Sequence, residues 1–98
     1  VNVIIDRAGP RLEDAGNLRA FAAELTIPRE AAQDLGGCGV WSLDGQHLFV
    51  EPDWLRRHAG DLAADAEWQR NFAGMVEFAR SKGWLDEQGR IRAHVVAA

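Results

Sequence analysis

The chain has 98 residues, of which 47% are hydrophobic and 27% charged, the balance of an ordinary globular domain rather than of a disordered segment. A formal charge of −4 and a pI near 5.2 repel phosphate backbones, and no Lys/Arg stripe compensates, so nucleic acid is set aside as a partner. Cys38 is the sole cysteine, which excludes an intramolecular disulfide and a CxxC metal clip and points to a reducing, cytoplasmic setting.

The length fits a single domain over residues 1–98. No apolar run approaches the ~18 residues of a membrane span, so no membrane partner is expected. The chain opens on Val1 rather than Met, and removal of a methionine or of a longer leader is expected from this.

Val1 to Ile5 is a short apolar run rich in β-branched residues, the pattern of a central strand. Asp6 to Arg11 breaks the run, with Gly9-Pro10 as its punctuation. Leu18, Phe21, Ala22 and Leu25 fall at i, i+3, i+4 and i+7, which predicts a helix ended by Pro28. The same proline can open a second short helix, Pro28 to Leu35, stopped by Gly36-Gly37.

Cys38 to Leu43 and Gln46 to Glu51 flank Asp44-Gly45, a hairpin turn that needs positive φ. This pairing sets Leu43 opposite Gln46, Ser42 opposite His47 and Trp41 opposite Leu48. A short helix from Pro52 carries Trp54, Leu55 and His58 and closes at Gly60, after which Asp61 is placed to cap the next helix. That helix, about Leu62 to Lys82, gathers Trp68, Phe72, Met75, Val76 and Ala79 on one face and sets Glu67, Arg70, Glu77 and Arg80 opposite. Gly83 is a natural terminator and Trp84 can supply its apolar contact. Arg90 to Val96 alternates basic and apolar residues, as a half-exposed strand does.

The order is β-α-β-β-α-β, with an extra short helix before the second strand and another before the long helix. It predicts an α+β ferredoxin-like sandwich: an antiparallel sheet, helices on one face, and a last strand at an edge blunted by Arg90 and Arg92. Trp41, Leu43, Leu48 and Val50 then face the helices with Val1, Val3, Ile5, Ile91, Ala93 and Val95. The open face shows Asn2, Ile4, Asp6, Cys38, Val40, Ser42, His47, Phe49, Arg92 and His94. That mixture is too apolar for an idle surface and too polar for a dry core.

Cys38, Ser42, His47 and Glu51 share a face, yet Cys38 and Ser42 are about 13 Å apart at ~3.3 Å per residue, so no local catalytic triad forms. Gly36-Gly37-Cys38-Gly39 leads into a strand and lacks the lysine of a phosphate loop. His47, His58 and His94 show no ligand spacing, and neither a metal nor another cofactor is assigned. Trp54 and Trp84 sit near element ends, where an aromatic serves as an interface anchor or as a core plug.

No catalytic residue is assigned. The candidate ligand or interface residues are His47, Phe49, Ser42, Arg92, His94 and Asp6. The leading expectation is a non-catalytic association module, a homodimer or an accessory subunit, working through the open sheet face. The alternative is a small dimeric α/β-barrel enzyme or small-molecule binder. In it His47 and His94 carry protons and Arg92 grips the carboxylate of an acidic or aromatic ligand with its planar fork.

Overall fold

The computed structural model, which describes residues 1–97, begins with the expected strand. β1 (Asn2–Asp6) buries Val3, Ile4 and Ile5. Arg7 and Ala8 then reverse the chain, the Asp6 carboxylate accepting from the Ala8 N–H at 2.9 Å and pairing with Arg11. Gly9-Pro10 therefore opens a second strand, β2 (Gly9–Glu13), antiparallel to β1. Pro10 is tolerated because β2 is a sheet edge, where one side of the strand needs no donors.

The Leu18–Leu25 stripe forms no helix. Its second half is β3 (Ala22–Leu25), parallel to β1. Ala22 and Ala23 are slim enough to lie between two β-branched strands, and Ala23, in register with Val3 and Val95, is fully buried. Ladders on both sides outweigh helix preferences of about 0.7 kcal/mol per residue or less. The expected Pro28–Leu35 helix shrinks to a 3-10 turn, Arg29–Ala31.

β4 (Gly39–Trp41) and β5 (His47–Val50) form the hairpin in the expected register, Trp41 opposite Leu48, and the Ser42 N–H donates to the His47 carbonyl at 2.9 Å. Gly45 has φ +74° and its N–H closes the turn on the Ser42 carbonyl at 3.0 Å. α1 (Pro52–His58) starts on its proline, and a 3-10 segment, Gly60–Ala64, leads to α2 (Ala66–Ser81). Asp65 rather than Asp61 caps α2, accepting from the Glu67 N–H at 2.8 Å, because the 3-10 segment delays the helix start by one turn. At the other end Trp84 N–H reaches the Ala79 carbonyl and Gly83 N–H the Arg80 carbonyl. This is a Schellman cap, sealed by Trp84 packing edge-on to Phe78 at 5.8 Å. A turn at Asp86–Gly89 leads to β6 (Ile91–Ala97).

The sheet order is β2-β1-β3-β6-β5-β4, with β1, β3 and β6 mutually parallel and both outer pairs antiparallel. The sheet is mixed and curls into a half-barrel, which overturns the antiparallel ferredoxin-like sandwich. The cause is local: β2 adds a strand before the first crossover, and β3 takes the place of the first helix. β6, expected at an edge, lies inside the sheet, so Arg90 and Arg92 do not guard an edge.

One face carries the core. Val3, Ile5, Ala23, Leu48, Val50, Ile91 and Ala93 pack with Trp54 and Leu55 of α1 and with Trp68, Phe72 and Ala79 of α2. Two expectations about facing fail. Leu43 is fully exposed, since the strand ends at Trp41 and the turn holds residue 43 at its tip. Cys38 is fully buried in the core, because the strand begins only at Gly39 and the glycine pair before it breaks the alternation. Ile4 lies on the opposite face between Arg11 and Glu24, and is nonetheless 2% exposed. No helix among the described residues is long and apolar enough to cross a membrane.

Candidate functional site

The β5–β6 ladder sets His47 directly opposite His94 and Phe49 opposite Arg92 on the face away from the helices. The two imidazoles meet edge to face with centroids 6.2 Å apart. Asp6 lies at the β1–β2 turn, and Ser42 stands opposite His47 with its hydroxyl occupied. Asp6 holds the β1–β2 turn. The Ser42 hydroxyl donates to Asp44 at 2.6 Å and accepts from the His47 N–H at 3.1 Å. The bond from the Ser42 hydroxyl, with a further one from the Gln46 N–H, holds the Asp44 carboxyl below its usual range.

The neighbour of β6 changes along its length. Near Arg92 it is the Trp84–Asp86 segment, whose Trp84 carbonyl accepts from the Arg92 N–H at 2.8 Å. From His94 onward it is β3. Phe21, just before β3, and Trp84 therefore flank the junction. With Arg92, His47 and His94 they line a depression of about 180 Å³. The Arg92 guanidinium lies over the Trp84 ring, 5.8 Å from its centroid, a cation–π contact that holds the fork in place.

Phe21, Trp84 and Arg92 are also walls of a second depression of about 300 Å³ on the helix side, lined by Leu18, Met75 and Phe78. It is mainly apolar, with Arg92 and Arg19 as its charged groups. Among the described residues neither arginine forms an ion pair. Among the described residues no Asp or Glu lines either depression, in a chain with 15 acidic residues. The Trp84 indole N–H has no partner among the described residues, whereas those of Trp41 and Trp68 donate to the Ala32 and Ala15 carbonyls.

Cys38 contributes no nucleophile: burial pushes its thiol up to about 12, far from the depressed values of reactive cysteines. Among the described residues no three His, Cys, Asp or Glu side chains gather as a metal-binding set.

Phe21, Arg19 and Leu18 were hidden by the helical reading of their segment, which turned Phe21 into the core. Trp84 carried a visible signal, an aromatic directly after a helix-stopping glycine. No family model, curated protein or solved structure shows significant similarity to the chain.

Proposed function

We propose that the chain is a binding module for a small organic anion with an apolar or aromatic body. A single observation carries this reading: an apolar depression whose charged groups are Arg92 and Arg19, adjoining His47 and His94, with no Asp or Glu among the described residues lining it. The volume suits a small ligand. The ligand's body would rest among Leu18, Phe21, Met75, Phe78 and Trp84, and its carboxylate would take two parallel bonds from the Arg92 fork.

A thermal-shift and calorimetric panel of aliphatic and aromatic carboxylates against their neutral amides tests this. Carboxylates should bind and amides should not, and Arg92→Gln should weaken binding about tenfold or more, the scale of a charge-assisted pair. A wild-type protein indifferent to every carboxylate would refute the proposal.

A second reading, self-association or docking on a larger protein through the face away from the helices, rests on different features. Val40 and Val96 are 42% and 45% exposed there, and the free edge of β4 carries neither charge nor proline. Val40→Glu should dissolve any assembly seen by sedimentation at high protein concentration. A wild-type chain that stays monomeric and captures no protein partner removes this reading.

A further inference from the structure

We infer that the ligand of this groove carries two anionic groups, one at each end of its apolar body, an inference that rests on the anion-binding reading above. The observation lies beyond Arg92. Leu18, Arg19 and Met75 line both the apolar depression and a third, more polar one of about 380 Å³. That third space is lined by Asn17 and Arg19, from the loop before β3, together with Arg70 and Asn71 of α2. Again no Asp or Glu among the described residues lines it.

The grouping is not what this sequence delivers by default. Arg70 has Glu67 three residues before it, the same spacing at which Arg80 pairs with Glu77 at 3.3 Å. Arg70 makes no such pair among the described residues and lines the groove instead. Arg19 is presented by an Asn17 side chain that accepts from the Arg19 N–H at 3.3 Å, on a loop tied down by the Trp68 indole bond to Ala15 at 2.8 Å. Gly74 adds room, since a Cβ there would meet nothing within 4 Å.

Arginines thus stand at both ends of an apolar bed: Arg92, beside the His47 and His94 rings, at one, and Arg19 with Arg70 at the other. An anion with a single charge satisfies one end. An elongated dianion, of which straight-chain α,ω-dicarboxylates are the simplest class, satisfies both while its chain covers Leu18, Phe21, Met75 and Trp84.

The test is a calorimetric titration with matched pairs from octanoate and octanedioate to tetradecanoate and tetradecanedioate. For at least one length the diacid should bind about fivefold tighter than the monoacid, the scale of exposed ion pairs. Arg70→Gln, which lines only the third space, should lose that gain and keep the affinity for monoacids, whereas Arg92→Gln should weaken both. Equal affinities within every pair, with monoacids still bound, would overturn the dianion inference and leave the anion-binding reading standing. Failure of both classes to bind would overturn the two together.

Discussion

Trp68→Ala is expected to cost about 3–5 kcal/mol of folding stability, the range for deleting a buried aromatic side chain. Domains of this kind are stable by only ~5–15 kcal/mol, so much of the reserve disappears. Trp68 is 6% exposed, stacks on Phe72 with centroids 5.0 Å apart, and its indole N–H is the bond that fastens α2 to Ala15. Trp68→Phe separates these roles, because it keeps an aromatic ring beside Phe72 and loses the donor. Its stability loss should be nearer 1 kcal/mol in urea unfolding. Hydrogen exchange should accelerate across residues 14–21, the segment that presents Leu18, Arg19 and Phe21. Unchanged exchange there in Trp68→Phe would show that the indole does not anchor the loop.

Above pH 9 the protein should lose stability steeply, and Cys38 should be the main cause. The thiol is buried in the folded chain and raised to about 12 from an ordinary value of 9.0. The unfolded chain therefore releases this proton while the folded chain keeps it. Unfolding is favoured as pH rises through that window, and stability is unaffected by this group below it. The slope approaches a tenfold fall in the folding equilibrium constant per pH unit. Few groups compete, since the chain contains no tyrosine and its one lysine is the exposed Lys82. Cys38→Ala should flatten the alkaline limb of a pH series of thermal or urea melts. An equally steep limb in that variant would show that another group controls it.

The legible parts of the fold were those governed by local chemistry. The Asp44-Gly45 turn specified the β4–β5 register, because few residues other than glycine accept a φ of +74°. The spacing of Trp68, Phe72 and Ala79 located the buried face of α2, and Gly83 with Trp84 its end. What failed were decisions taken at long range. Leu18, Phe21, Ala22 and Leu25 satisfy a helical period, and nothing nearby tells that Ala23 will be sandwiched between Val3 and Val95. Pro10 reads as a breaker unless its strand is known to be an edge. Without β2 and β3 the remaining pieces assemble most simply into the wrong sandwich.

The same division runs through the site. His47, His94, Phe49 and Arg92 were placed on one face by strand alternation alone, and the β5–β6 ladder sets them side by side. Ser42 and Asp6 share that parity but are consumed by the turns they build. The apolar half of the groove was invisible. It arises where β6 exchanges one neighbour for another, and that exchange depends on the unforeseen placement of β3.

Because the β3–β6 ladder is the one that joins the two halves of the sheet among the described residues, assembly has an enforced order. The β1–β2 and β4–β5 hairpins can close early, but Ala22 must wait for His94, and most of the chain lies between them. As the protein emerges from a ribosome, the β3 flank stays bare until β6 arrives. During that interval its unpaired backbone donors and acceptors are open to any passing strand, the exposure that late long-range strand pairing entails.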